Sequence, residues 1–440
     1  MNIKDIFKAA GIAGAGGAGF PAYAKQSPEA DTFLVNGAEC EPLLYTDYTI
    51  LRLYLEEVAS GAELVVEASG MKQALLCIET KNAKLLGLSE GQQIAPHTKV
   101  KCLPNVYPTG DEISLIYEAT GRLVKPGKLP ITAGVIVGNV ESVYNMYQAA
   151  QFGKPVTHSF ITIAGDVKTP LVMRVPVGTP IREICSQLGL AEQLQGKMVL
   201  DGGPAMGRVV DVAKDVVKKT TKGLTILPMQ TEAAKSRLRS FASNQGLATT
   251  ACCQCTRCTD LCPRFLLGYP LEPHRMVRTA VCPTPDPVLI QTATLCCGCG
   301  ICETVACSQG ISPRKVIEGF KAQLRTQNIK FTPSETDTYT PHFMRFARRV
   351  PASRMESLLG VAKFDTLPVW QEETFSPRYV EIALAGHIGA PSVPVVKEGD
   401  RVELGQMIAS AGEGLSLPQH ASITGRVSRI TPHYIRIERE

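Results

Sequence analysis

The stretch Cys252-Cys253-Gln254-Cys255-Thr256-Arg257-Cys258-Thr259-Asp260-Leu261-Cys262-Pro263 sets three cysteines at two-residue gaps and closes on a Cys-Pro pair. A second run follows, Cys296-Cys297-Gly298-Cys299-Gly300-Ile301-Cys302, with Cys307 beyond a four-residue gap. Three thiolates at this spacing wrap one corner of a cubane, and the more distant fourth cysteine completes the neighbouring cluster when two such runs pack together. The expectation is two 4Fe-4S clusters, one held by Cys252, Cys255, Cys258 and Cys307, the other by Cys296, Cys299, Cys302 and Cys262. A pair of zinc sites is the competing reading, but those present two CxxC knuckles rather than three cysteines in series ending in Cys-Pro. The second run departs from the pattern by one extra residue and by Ser308 in place of proline, which bears on Cys307 alone.

Other cysteines have plainer readings. Cys253 and Cys297 sit beside ligands and are packing thiols or substitute ligands, while Cys282, in Val-Cys-Pro, stays open. Cys77, Cys102 and Cys185 lie in apolar patterns and are expected in the core. Cys40 stands between Glu39 and Glu41, whose charges would raise its pKa, the wrong direction for a nucleophile.

At 440 residues, with 44% hydrophobic and 20% charged residues, the chain can bury several cores and predicts three or four domains. Most of its fifteen cysteines crowd between 252 and 307, as metal ligands do and scattered disulfides do not, so a reducing, cytoplasmic compartment is expected. No run approaches 18 apolar residues, so no transmembrane helix is predicted. Lys4 and Lys8 followed by Gly11 to Phe20 mimic a signal peptide, but that stretch is glycine-rich and lacks leucine, which suits a loop. The net charge of +5 is small for this length, and no nucleic-acid partner is expected. The local basic groups Lys214, Lys218, Lys219, Lys222 and Arg345, Arg348, Arg349, Arg354 read as solvated faces.

Along the chain, Ile3, Ile6, Phe7 and Ala10 share a helical face that stops at Gly11. The loop Gly14-Ala15-Gly16-Gly17-Ala18-Gly19-Phe20-Pro21 then lacks side chains that would hold an anionic ligand away from the backbone N–H groups. Thr32 to Val35 reads as a buried strand that delivers Asn36-Gly37-Ala38-Glu39-Cys40-Glu41-Pro42 at its carboxyl end, where open α/β sheets place ligands. Leu64-Val65-Val66, Lys99 to Leu103 and Gly134 to Val140 repeat the strand theme, with helices over Tyr48 to Val58 and Glu112 to Tyr117. Residues 1–155 are therefore predicted as one Rossmann-like α/β nucleotide- or flavin-binding domain. Short alternating strands from Phe160 mark a small β-rich domain over 156–230. A helical lead, Ala233 to Arg239, enters the cysteine domain at 240–330. Residues 331–375 show no sustained period and read as a connector. Over 376–440, turns recur about every ten residues, the rhythm of a small barrel or sandwich.

Several of these stretches resemble a known family. Gly14 to Pro21 with Lys25, Asn36 to Pro42, Tyr107-Pro108-Thr109-Gly110-Asp111-Glu112, Lys125-Pro126 and Val137 to Ser142 resemble the C subunit of the bacterial Rnf electron-transport complex and the flavin- and NADH-binding subunit of respiratory complex I. Ile161 to Asp166, Val177 to Pro180 and Gly202 to Gly207 look like the β-grasp soluble-ligand-binding domain of the same family. His387 to Pro391, Gly399 to Val402 and His420 to Gly425 are similar to its barrel-sandwich module, here C-terminal and without a lipoyl- or biotinyl-bearing lysine. That module order resembles the cobalamin reductases of propanediol-utilisation microcompartments over essentially the whole chain.

The resemblance implies an α/β multidomain chain with an α-helical two-cluster ferredoxin-like domain, FMN and two 4Fe-4S clusters as cofactors, and NADH as donor. It implies a flavin site of Gly14, Gly16, Gly17 and Gly19 as backbone cradle, Lys25 near the phosphate, Asn36, Glu39 and Asn139 at the ring or ribityl chain, and Tyr107, Gly110 and Asp111 closing it. Glu41, Glu112, Phe20 and Lys125 match positions that meet NADH, with Glu41 and Glu112 as the catalytic candidates. Ala38 stands where the family has an acidic residue, Gly138-Asn139 replaces an asparagine pair, and Pro28 and Lys128 replace two aromatics that sandwich the dinucleotide. Flavin binding tolerates these departures better than NADH specificity does. Three functions compete: a corrinoid reductase, an electron-relay subunit of Rnf type, and an adaptor with structural clusters. The C-terminal barrel favours the first over the second; the glycine loop and the Glu39/Glu41 segment oppose the third. The implied partners are a corrinoid presented by an adenosyltransferase, the shell or enzymes of a bacterial microcompartment, and a second copy in a homo-oligomer.

Overall fold

The computed structural model describes residues 2–334 and 336–440. At its N-terminal end Thr32–Gly37 is flanked by two parallel strands, Gln73–Glu79 on one side and Val135–Asn139 on the other. Thr98–Leu103 extends the sheet in parallel, and Gln93–Ala95 adds an antiparallel edge. The register sets Asn36 beside Asn139, so the carboxyl ends of two neighbouring strands meet where such sheets bind ligands. Glu112–Thr120 covers one face, placing Leu115 and Ile116 against Leu34, Cys77 and Val137.

The expected strand at Leu64-Val65-Val66 is instead part of the 24-residue helix Thr46–Ser69. Val58, Ala62, Val65 and Val66 fall on one helical stripe and pack into the core beside Val143 and Met146 of the helix Val140–Phe152. Helical spacing along this long element overrides the β-branched pair within the triplet. The true second strand, Gln73–Glu79, is not anticipated from the sequence.

The next sheet has six strands. His158–Gly165 pairs antiparallel with Leu171–Pro176 and parallel with Gly223–Pro228, which pairs antiparallel with Lys197–Asp201. Its outer edge is Val369–Gln371, parallel to Leu171–Pro176. The expected connector at 331–375 is thus a folded strap. Besides that edge strand, Val350–Pro351 pairs with Val106–Tyr107, the helix Ala352–Leu359 buries Met355 and Leu359, and Trp370 stacks on Phe160 at 5.9 Å between ring centroids. These pieces are two to eight residues long and take their partners from other modules, so no local period announces them.

The cysteine region is a set of short helices around Phe241–Ala251, Pro273–Thr279 and Pro313–Thr326. Both cysteine runs bend through left-handed backbone: Gln254 and Thr256 at φ 55° and 60°, Gly298 and Gly300 at φ 75° and 80°. Glycine does this freely; Gln254 and Thr256 hold it at a cost, the mark of a loop fixed by what it surrounds. At the C-terminal end a four-stranded sheet containing Tyr379–Ala383, Gly425–Ile430 and Tyr434–Glu438 lies with a three-stranded one of Val393–Pro394, Met407–Ser410 and Gln419–His420. Val380, Ile408, Val427 and Ile437 form the core of this module. No helix among the described residues is long and apolar enough to cross a membrane.

Candidate functional site

The glycine loop begins where Gly11, at φ +65°, ends the helix Ile3–Ala9. It is closed on itself by Gly14 N–H to Phe20 O at 2.9 Å and Gly19 N–H to Gly14 O at 3.2 Å, and pinned by Ala15 N–H to Ser142 Oγ at 2.9 Å. Its crest is open. A Cβ on Gly17, at φ +103°, would meet nothing within 4 Å, and one on Gly16 would lie 3.6 Å from Asn139 Cβ. Gly16 and Gly17 therefore present bare backbone beside the strand ends, a cradle that a side chain would fill. Gly14 and Gly19 serve closure and packing, since a Cβ there would press on Phe20 O at 3.3 Å and Thr220 at 3.2 Å.

Around this cradle the polar side chains tie the walls together. Lys25 Nζ donates to Val137 O at 2.9 Å and pairs with Glu112 at 3.4 Å. The Phe20 ring centroid lies 6.0 Å from that ammonium, and Lys125 is exposed. Asn36 donates to Gly110 O at 3.0 Å and accepts from Ala38 N–H at 3.1 Å. Gly110 runs so close to Ala38 O that no side chain fits there. Asn139 caps Val140–Phe152 through Glu141 N–H at 3.0 Å and donates to Asp47 at 2.7 Å.

Glu39 accepts from Thr46 N–H at 2.7 Å and Tyr48 N–H at 3.1 Å at the start of the long helix. Burial, with the Asp47 charge adding to it, pushes its carboxyl up to about 8. Lys222 answers this acidic group, pairing with Asp47 at 2.7 Å and Glu141 at 2.9 Å. The solvated-face reading of the basic groups fails for Lys219, Lys222 and Arg345. Lys219 and Arg345 are 8% and 5% exposed, Lys222 is held in its ion pairs, and Arg345 and Arg349 both bind Glu118. Burial pulls Lys219 down to about 7. The unfolded chain keeps this lysine protonated to about pH 10.4. Between pH 7 and that value the unfolded state binds the extra proton on this lysine, so its contribution to folding stability rises with pH. From pH 7 to 9 the wild-type chain should gain about 2 kcal/mol relative to Lys219→Met, a difference that denaturant unfolding of both chains across this range would measure.

Several residues matched to the flavin and NADH positions are committed to other modules. Glu41 accepts from Ala205 N–H at 2.6 Å and Met206 N–H at 2.8 Å, and a Cβ on Gly203 would overlap it. Tyr107 is buried and donates its hydroxyl to Cys299 O at 2.8 Å. Asp111 caps Glu112–Thr120 and pairs with Arg264 at 2.8 Å. Tyr107 and Asp111 thus fasten the α/β domain to the cysteine region. Arg264 carries this link, Lys222 with Asp47 ties the α/β domain to the six-stranded sheet, and no local pattern in the sequence names these partners.

The cysteines gather in two groups of crossed composition. Cys252, Cys255, Cys258 and Cys307 line one cavity, with Cys253 and His274; Cys262, Cys296, Cys299 and Cys302 line the other, with Cys297, Arg264 and Arg314. The first opens outward, with Cys253 and Cys255 exposed. The second is enclosed: Cys262, Cys299 and Cys302 are each less than a tenth exposed. Burial pushes the Cys258 and Cys262 thiols up to about 12 and Cys296 to about 11. Four thiols so placed can ionise together only around a compensating cation, which is the chemistry of a thiolate-bound metal centre. Among the described residues, Glu63, Glu67 and His97 also cluster, but Glu63 is already bound by His97 and Thr98.

Comparison with known proteins identifies three segments. Residues 7–148 match the Nuo51 FMN-binding domain, 251–312 a 4Fe-4S dicluster domain, and 367–440 the RnfC barrel sandwich hybrid domain. The molecule is a multidomain α/β oxidoreductase that combines an FMN-binding domain, a dicluster domain and a barrel-sandwich module. The cobalamin reductase PduS of Citrobacter freundii is 36% identical over 100% of this chain and 97% of its own length, and that of Salmonella typhimurium is 36% identical over 100% and 96%. The ion-translocating oxidoreductase complex of Rhodobacter capsulatus has a C subunit that is 31% identical over 60% of this chain and 50% of its own length. The chain belongs to the cobalamin reductase PduS family.

Proposed function

We propose that the protein is an NADH-dependent corrinoid reductase. FMN held by the glycine loop would supply the exchange between two-electron hydride chemistry and the one-electron chemistry of 4Fe-4S clusters and of corrin cobalt between Co(III), Co(II) and Co(I). The observation that carries the reading is the placement of two four-cysteine sets: one enclosed against the flavin domain through Tyr107 and Arg264–Asp111, the other open to solvent. In this reading the flavin comes first and the two clusters run against sequence order, the one built mainly from the second cysteine run next to the flavin domain and the one built mainly from the first at the exit.

In this reading Gly16 and Gly17 offer N–H groups to the flavin phosphate and Lys25 supplies one positive charge. Glu112, which meets Lys25 and is two-fifths exposed, is the side chain available to a dinucleotide. Glu41 holds the 205–206 turn against the segment that follows Thr32–Gly37. Residues 156–230 act as a β-grasp soluble-ligand-binding domain fastened there to the α/β domain. The sequence holds no Asp-x-His-x-x-Gly corrin motif, so the corrin is a substrate brought by a partner, an adenosyltransferase, inside a microcompartment. Glu112→Gln should raise the KM for NADH about tenfold, the scale of one lost charge-assisted hydrogen bond, while protein reduced by dithionite passes electrons to hydroxocobalamin at the wild-type rate. Steady-state and dithionite-driven assays side by side decide this. An unchanged KM removes Glu112 from the dinucleotide site.

A further inference from the structure

The glycine loop is gripped from behind by a module far away in sequence. At its far end, Ile388 N–H donates to Gly19 O at 3.0 Å, and His387 Cα lies 3.5 Å from where a Gly19 Cβ would stand. At its near end, Gly11 is backed by Pro418 O at 2.8 Å and His420 Nδ1 at 3.4 Å from a Cβ position. Between them, Lys219 of the six-stranded-sheet module donates to Gly11 O at 2.8 Å, and Thr220 Cγ2 lies 3.2 Å from where a Gly19 Cβ would stand. The barrel segments are themselves pinned: His387 is bonded by Leu417 N–H at 3.1 Å, and Ser422 Oγ donates to Val177 O at 2.6 Å. Lys219 and His420 are 8% and 7% exposed, whereas Ile388 is 45% exposed. The contact at Gly19 is therefore a main-chain matter, independent of burying Ile388. Both ends of the loop are fixed while the crest at Gly16 and Gly17 is left bare.

We propose that the C-terminal barrel-sandwich module is a positioning element for the glycine loop, its 386–388 and 418–420 segments holding Gly11–Gly19 in the shape that receives the FMN phosphate. The inference rests on the flavin reading and adds a role for a module distant in sequence from the α/β domain. A loop of small residues has much backbone entropy to lose on meeting an anion, and a frame that fixes both ends removes that cost before the ligand arrives. The benefit falls on the phosphate. Riboflavin, which lacks it, should gain little.

The test uses the full chain with its clusters in place, stripped of flavin and titrated with FMN and, separately, with riboflavin, with iron content and thermal unfolding followed in parallel. Ile388→Pro removes the N–H donor to Gly19, and Ile388→Val keeps it. Ile388→Pro should weaken FMN binding about tenfold, leave riboflavin affinity and iron unchanged, and so collapse the preference for FMN, while Ile388→Val binds as wild type. Lys219→Met, which frees the other end of the loop, should act in the same direction and decides the matter if Ile388→Pro loses its iron. Wild-type FMN affinity in Lys219→Met and in any folded Ile388→Pro overturns the inference, as does an equal loss of FMN and riboflavin affinity. Failure of the wild-type chain to bind FMN at all would instead overturn the flavin reading beneath it.

Discussion

Cys299→Ala should lower the iron of anaerobically purified protein from about eight to about four per chain and reduce NADH-driven corrinoid reduction by at least about a hundredfold, because each cubane needs its four thiolates. Cys255→Ala should lose the same iron but differ in one respect. With Cys255 replaced, the enclosed set that touches Tyr107 and Asp111 is intact, and NADH should still bleach the remaining cluster. With Cys299 replaced, the remaining set is the exposed one, and NADH should leave it oxidised while dithionite reduces it. Anoxic NADH titrations read by visible absorbance and electron paramagnetic resonance separate the two variants. Equal bleaching in both would cancel the proposed order, and zinc in place of iron after iron-replete, anoxic expression would remove the clusters from the account.

Gly17→Val should abolish FMN binding with both clusters retained. Two effects act together. The residue sits at φ +103°, where a β-branched side chain is strained, and the space its Cβ would enter is the open crest beside Asn139. The strain costs on the order of 1–3 kcal/mol and falls on an exposed loop, so the fold survives it. Flavin released by acid from this variant, at one per chain, would move the site away from the glycine loop.

The features legible in the sequence are those whose chemistry is local. Cluster ligands of one run must lie within a few residues of one another, and the expected exchange of Cys262 and Cys307 follows from packing two such runs; the thiols gather in two cavities of that crossed composition. The glycine loop is legible for the same reason. What the sequence hides is set by contacts between modules. Lys222 looks like one of several surface lysines until Asp47 and Glu141, each more than eighty residues away, close on it. Val369–Gln371 becomes a strand only because Leu171–Met173 offers an edge. Glu41 and Tyr107 match a flavin-site pattern, yet their polar atoms are taken by the 205–206 turn and by Cys299, partners no local pattern could name. Leu64 to Val66 misleads in the opposite way, a strand-like triplet inside a helix whose stripe shows only over a longer window.

The claim that the corrin is reached through the clusters is tested most directly by the double variant Cys255→Ala, Cys299→Ala loaded with FMN. Every residue assigned to flavin and NADH precedes position 145 and every cluster ligand follows 250, so the two sites can be separated by substitution. With NADH as donor, this variant should reduce ferricyanide, which accepts electrons from flavin, at a rate close to wild type, and should fail to reduce hydroxocobalamin under the same anoxic conditions. Hydroxocobalamin reduction at the wild-type rate would contradict the account, since the corrin would then meet the flavin without the cysteine-held clusters.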